Sequence, residues 1–224
     1  MKKIICSFVF FLTFTFPAGA VFLDSLVFDI TPDKSFTSRA VLNDTTRNNL
    51  YQLTVFKIDK PGRGGENRIT GGDKEVLYSP LRFTVQPGEK DYFKLFYRGP
   101  SDDQERYYRV IFRESPVLLF PLKQEKQHMY AIPVIALSTL LIVRPRNVKL
   151  DFTFDEENGT IRNTGNTFFR VIIQKGCHGD DESSLQFSML PGESWQNSQV
   201  NVNNRKFIVA LGRYYPLGKG CFDG

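Results

Sequence analysis

Apolar and polar residues alternate over short stretches of this chain, and turn-forming residues interrupt the alternation about every ten to fifteen positions. A period of two marks strands that bury one face. On this pattern strands are expected over 21–30, 50–58, 81–85, 92–97 and 107–113. Turn chemistry separates them: Thr31-Pro32-Asp33, the glycine-rich loop that opens at Pro61-Gly62, Gln86-Pro87-Gly88-Glu89, Arg98-Gly99-Pro100, and Ser115-Pro116. The pattern restarts after Arg144-Pro145-Arg146-Asn147, with strands expected over 148–154, 168–173, 185–189 and 207–211. Pro191-Gly192-Glu193 repeats the turn chemistry of Pro87-Gly88-Glu89. No long stretch carries a helical period, so the fold class is all-β. Two β-sandwiches are expected, over 21–144 and 145–224, joined at the basic hinge; a single larger sandwich is the alternative that length permits.

One segment departs from the alternation. Residues 131–143 read AIPVIALSTLLIV, apolar on both faces and closed by Arg144-Pro145-Arg146. The run is too short for a membrane-spanning helix, which needs about twenty residues. Its Ile, Val and Thr content favours a strand, longer than the usual strand of about five or six residues. Such a strand either runs through a buried sheet or awaits a partner. Period two puts Ile135, Leu137, Thr139 and Leu141 on one face, and Val134, Ala136, Ser138, Leu140 and Ile142 on the other.

Composition adds the compartment. Lys2 and Lys3, the apolar stretch after them, and Pro17-Ala18-Gly19-Ala20 make residues 1–20 a secretory signal peptide, with Val21 the first mature residue. Export leaves Cys177 and Cys221 as the mature cysteines, and two cysteines in an oxidising compartment pair most simply as one disulfide. Cys177 adjoins His178, yet His128 is the only other histidine, which makes no zinc site of normal spacing, so no metal is expected. The net charge of +5 is scattered along the chain, and losing Lys2 and Lys3 lowers it only slightly. No nucleic-acid footprint results. No GxSxG, P-loop or HExxH occurs, and the acidic pairs Asp102-Asp103 and Glu156-Glu157 sit in turns, so neither catalysis nor a cofactor is expected.

Several phrases in sequence order resemble the PapD-like periplasmic pilus chaperones. They are Ser79-Pro80-Leu81-Arg82-Phe83 through Pro87-Gly88, Tyr107-Tyr108-Arg109-Val110-Ile111 through Ser115-Pro116, Ile135-Ala136-Leu137 through Arg144-Pro145, and Asn163-Thr164-Gly165-Asn166-Thr167. Phe96-Tyr97-Arg98-Gly99-Pro100, Glu105-Arg106-Tyr107 and Asn158-Gly159-Thr160 resemble the divergent branch that serves the common pilus of enteric bacteria. The resemblance implies two immunoglobulin-like sandwiches set as a boomerang, in a periplasmic, non-enzymatic chaperone. It implies that the strand at 131–143 is donated to pilus subunits, with Ile135, Leu137, Thr139 and Leu141 facing the subunit, before delivery to an outer-membrane usher. Self-capping dimers of the free chaperone are a further expectation; direct membrane insertion is not.

Two departures from the family pattern stand out. Standard members anchor the subunit's terminal carboxylate with an arginine on the first strand and a lysine on the donor strand. Here the first strand has no arginine, and Leu140 holds the second position. Arg109, with Arg113 next, is the expected substitute, because a guanidinium fork suits a carboxylate. The family's interdomain brace uses Glu, Arg and Asp; Glu105 and Arg144 match the first two, but no aspartate stands near Gly212 and Arg213. Two other classes remain open at this level. A pilus subunit or adhesin would carry an N-terminal extension and lack its own final strand. A secreted carbohydrate-binding sandwich would need convergent aromatics beyond the lone Trp195.

Overall fold

The computed structural model describes residues 21–62, 64–118, 132–200, 203–218 and 221–222. The expected signal peptide, His128 and Ala131 lie outside them. Strands account for the regular structure, with two short 3-10 turns. The first half contains β1 (Val21–Leu23), β2 (Val27–Ile30), β3 (Phe36–Asn43), β4 (Asn49–Ile58), β5 (Val76–Ser79), β6 (Arg82–Val85), β7 (Lys90–Tyr97), β8 (Arg106–Pro116) and β9 (Ile135–Val143). One sheet has the order β1-β3-β7-β5 and the other β2-β9-β8-β4-β6. The second half contains β10 (Phe152–Asp155), β11 (Thr160–Asn163), β12 (Phe169–Ile173), β13 (Leu185–Met189), β14 (Ser194–Gln196), β15 (Lys206–Ala210) and β16 (Arg213–Leu217). Its sheets run β10-β11-β14 and β13-β12-β15-β16.

The stretch expected as one strand over 21–30 is two. The chain leaves the first sheet after Leu23 and enters the opposite sheet at Val27. Ser25 shapes the crossing: its Oγ donates to the Val27 carbonyl at 2.8 Å and accepts the Val27 N–H at 3.1 Å. β3, β5, β11, β14 and β16 did not stand out in the alternation. The expected strand at 148–154 shrinks to β10, and in the apolar run the described residues 132–134 precede the strand, which starts at Ile135.

Alternation places Tyr51, Leu53 and Val55 of β4, Tyr108, Val110 and Phe112 of β8, and Phe93, Leu95 and Tyr97 of β7 in one core. Phe93 is its centre, meeting Phe112 edge-on at 4.8 Å and Phe28 at 5.9 Å. The second core gathers Ile161, Phe169, Val171, Met189 and Ile208. Cys177 and Cys221 are joined across 44 residues with Cα atoms 5.2 Å apart, which brings Phe222 onto Phe207 at 5.3 Å.

The two sandwiches close with the same polar plug. Asn43 donates through Nδ2 to the carbonyls of Arg47 and Val85, at 2.7 and 2.8 Å, and its Oδ1 accepts the Thr45 N–H. Asn163 donates likewise to Thr167 and Met189, at 2.9 and 3.1 Å, and accepts from Gly165. Each asparagine also pairs its backbone with the turn that follows: Gly88 N–H donates to Asn43, and Gly192 N–H to Asn163. Gly88 and Gly192 both take positive φ, which suits glycine and explains the repeated Pro-Gly-Glu.

A third apolar cluster ties the halves together: Ile58, Tyr107, Leu140, Ile142 and Leu190, with Phe56 and Phe168 against it. Beside it lies a buried charge cluster. Arg144 Nη1 reaches Glu105 Oε2 at 3.3 Å, donates to Thr167 Oγ1 at 2.6 Å and to the Phe168 carbonyl at 3.1 Å, and its guanidinium lies 4.0 Å from the centre of the Phe168 ring. Glu105 accepts the Thr167 hydroxyl, the Phe168 N–H and the Tyr107 hydroxyl. Burial first, then the Glu105 charge, raises the Tyr107 phenol and keeps it a donor. Gly212 lies in the β15–β16 turn and Arg213 starts β16. A second carboxylate of the first sandwich, Asp29, lies 3.5 Å from Arg144 Nε, a charge contact rather than a hydrogen bond.

Two predictions follow from these buried polar groups. Arg144→Ala leaves the Glu105 carboxylate buried without its cation, which costs about 3 kcal/mol of stability in denaturant unfolding. A loss under about 1 kcal/mol, as for a surface pair, would contradict the brace. Glu114, 5% exposed, accepts from Asn49 Nδ2 at 3.0 Å, and its second oxygen has no hydrogen-bond partner. Burial holds this carboxyl above its ordinary range, against the opposing effects of the Tyr51 hydroxyl and the Arg47 charge. The folded chain therefore retains a proton where the unfolded chain has lost it, so this group's stability is full below the ordinary carboxylate range and falls as pH rises through the folded value. Glu114→Gln, which keeps an acceptor for Asn49, should stabilise the chain at about pH 8 and change little at about pH 4. An equal gain at both would contradict the assignment.

Candidate functional site

The site is the edge of β9. Along its full length β9 pairs antiparallel with β8, from Ile135 opposite Glu114 to Val143 opposite Arg106. On its other side β2 pairs in parallel, but only from Val27 opposite Leu140 to Ile30 opposite Val143. Among the described residues nothing pairs with Ile135 to Thr139 on that side. Half of the strand is therefore covered and half is an open edge.

Hydrogen-bond directions on the open half follow from the covered half. Leu140 N–H donates to Leu26 and Arg144 N–H to Ile30, so even-numbered residues turn their backbone groups toward β2. By the two-residue repeat, Ala136 and Ser138 direct their N–H and C=O to the open side, while Leu137 and Thr139 bond to β8. Two backbone donors and two acceptors are thus presented in strand geometry, the template on which another strand adds.

Side chains along β9 change character at the same place. Ile135, Leu137, Thr139 and Leu141 share a face, as the alternation implies, and that face turns toward the first sandwich's own core. Ile135 is 45% exposed and Leu137 partly buried, whereas Thr139 is 1% and Leu141 0% exposed. Thr139 also donates its hydroxyl to the Val110 carbonyl at 3.0 Å. Thr139 and Leu141 are therefore interior residues of this sandwich, whereas Ile135 and Leu137 of the same face are not fully buried. An apolar run gives no sign of which part of a face its own fold covers. Ile132, Val134 and Ile135 are the large exposed apolar side chains at the free end.

Leu140, which holds the position of the standard donor-strand lysine, faces Val27, an apolar pair at the point where β2 takes over the edge. Arg109 lies one strand further in, on β8, opposite Leu140 of β9 and Phe56 of β4. Its guanidinium is held by Glu66: Nε donates to Oε2 at 2.7 Å and Nη2 to Oε1 at 2.6 Å. Arg113 is exposed and sits opposite Ala136, beside the middle of the open edge. Arg109 and Arg113 both point away from the core, on the face opposite Tyr108, Val110 and Phe112. Glu105 and Arg144 meet in the interdomain cluster described above. Glu66 had no signal in the sequence, since nothing local marks a carboxylate that pairs 43 positions away.

A cleft of about 610 Å³ lies between the halves, bordered by Asp59, Asp103, Tyr107, Asn166, Leu190 and Glu193. Among the described residues no three His, Cys, Asp or Glu side chains gather to hold a metal ion.

Comparison with known proteins agrees with this architecture. Residues 152–214 match the model of the EcpB C-terminal domain family. The chain is 32% identical over 203 residues to the probable fimbrial chaperone EcpE of Escherichia coli K12, covering 90% of this chain and 86% of that one. It is 27% identical over 214 residues to the probable fimbrial chaperone EcpB of Klebsiella pneumoniae strain 342, covering 94% and 96%. The fold matches the crystal structure of the periplasmic chaperone SfaE with a TM-score of 0.54 at 15% identity, over 88% of this chain and 98% of that one. The class 5 fimbriae chaperone CfaA matches with a TM-score of 0.50 at 18% identity, over 89% and 93%. With two immunoglobulin-like sandwiches, a half-open donor-type strand and these relatives along nearly its whole length, the chain belongs to the fimbrial chaperone family of EcpE and EcpB.

Proposed function

We propose that this chaperone works in the periplasm and captures pilus subunits by strand addition at the open half of β9. The observation that carries the reading is the edge from Ile135 to Thr139, free on the side where β2 covers Leu140 to Val143. A subunit sandwich that lacks a strand exposes both an unpaired edge and part of its core. Backbone bonds to Ala136 and Ser138 would satisfy the first, and Ile135 and Leu137, with Val134 and Ile132 beyond them, would fill the second. Each aliphatic side chain fully buried in that way contributes roughly 1.5–3 kcal/mol.

The same geometry supports Arg109 over Arg113 as the group that receives the subunit's terminal carboxylate. A strand added along the open edge meets β2 at Val27 and can go no further in the sheet. A chain end at that point stops beside Leu140, with Arg109 as the neighbouring cation on β8. Arg113 lies beside the middle of the added strand, where a partner has no terminus. We place the domain division at Arg144. The loaded chaperone would deliver its subunit to an outer-membrane usher, and the empty edge would accept a second copy of the chain as a temporary cap.

Proline substitutions separate the two sides of β9. Ser138→Pro removes an N–H that β8 does not use, so the protein should fold and export, yet fail to protect a co-expressed subunit from proteolysis. Leu137→Pro removes a donor to β8 and should disrupt the sandwich itself. Full subunit protection by soluble Ser138→Pro protein would refute strand addition at this edge.

A further inference from the structure

Glu66 closes on Arg109 in a manner that ordinary surface pairing does not require. It arrives from the loop between β4 and β5, 43 residues before Arg109. Its backbone is left-handed, with φ 70, where residues other than glycine are uncommon. The loop is shaped to hold it there. Glu66 N–H donates to the Lys60 carbonyl at 2.8 Å, Gly62 N–H donates to Glu66 Oε1 at 2.8 Å, and Gly62 and Gly64 both take positive φ. Asp59 and Asn67 clamp the base of the loop through a 2.7 Å side-chain hydrogen bond. Hydrogen bonding to Arg109 is the first of the effects that lower the Glu66 carboxyl, so it is charged at neutral pH.

The two oxygens of Glu66 occupy the guanidinium fork as the two oxygens of a chain terminus would. We infer that Glu66 is a resident stand-in for the subunit's terminal carboxylate, seated on Arg109 in the empty chaperone and displaced when a chain end arrives. This rests on the reading of Arg109 as the carboxylate anchor. Both members of the pair remain partly in water, so the bond is weak enough to exchange. Exchange keeps Arg109 paired before and after capture, and the cation is never desolvated alone as the edge is covered. It also makes the site selective: a side-chain carboxylate that cannot reach as deeply as a chain end gains nothing by replacing Glu66.

A stand-in competes with the ligand, whereas a structural prop assists it, and the two roles predict opposite signs. The probe is a labelled eleven-residue peptide of alternating valine and threonine with a free C-terminal carboxylate, compared with its C-terminal amide. Binding to the full mature chain is read by fluorescence anisotropy. Glu66→Gln should tighten binding of the acid peptide about tenfold, the factor expected if Arg109 is open about one part in ten, with the amide peptide unchanged. Glu66→Asp, which keeps the charge on a shorter arm, should shift the acid peptide in the same direction by less. Arg109→Gln should abolish the preference for acid over amide. Unchanged or weaker acid binding in both Glu66 variants, with the Arg109 dependence intact, would overturn the stand-in and leave the anchor standing. An acid preference that survives Arg109→Gln would overturn the anchor and the stand-in together.

Discussion

The open edge of β9 depends on where the first strand crosses between sheets. Had the chain continued in one sheet from Val21 to Ile30, either β9 would lack a parallel neighbour altogether or the whole of its edge would be covered. The break at Asp24, Ser25 and Leu26 sends only Val27 to Ile30 alongside β9, and the pairing stops at Leu140. An edge that is half closed is a device for strand addition with a built-in stop. The covered half holds the strand in its sandwich, and the open half offers N–H and C=O groups in extended geometry. Exposed edges of this kind invite indiscriminate pairing, so the stop at Val27 limits how far any partner can extend.

The covered half of β9 does a second task. Leu140 and Ile142 face outward from the first core and meet Tyr107, Ile58 and Leu190, so the strand with the open edge also carries the junction between the halves. Arg144, directly after β9, is fixed by Glu105, Thr167 and Phe168. Rigid attachment at this end sets the direction in which the free end of β9 projects. Orienting a binding strand in advance reduces the ordering cost of association.

The sequence made the all-β architecture and the punctuation by Pro-Gly turns legible, because those depend on local chemistry. The repeat of Pro87-Gly88-Glu89 in Pro191-Gly192-Glu193 was visible, and its cause, the paired plugs of Asn43 and Asn163, was not: a buried asparagine in a turn reads like any surface turn residue. The crossing at Ser25 was hidden because 21–30 alternates as one strand on either side of it. β9 showed apolar residues on both faces, so alternation correctly grouped Ile135, Leu137, Thr139 and Leu141. It could not reveal that the lower two are interior, since burial there comes from the facing sheet. The outward direction of Arg109 was legible from Tyr108, Val110 and Phe112, whereas its pairing with Glu66 is a long-range contact made by a strained loop. The aspartate missing near Gly212 is met in part by Asp29 on β2, a position that only the parallel pairing of β2 with β9 brings to Arg144.

Residue-resolved amide hydrogen exchange on β9 tests the central claim most directly. In the free chain the amides of Ala136 and Ser138 should exchange rapidly, while those of Leu137, Thr139 and Leu140, bonded to β8 or β2, stay protected. Binding of a pilus subunit should then slow Ala136 and Ser138 to the level of their neighbours. Protection of both amides in the free chain, or their continued rapid exchange in the complex, would contradict the open edge as the site of capture.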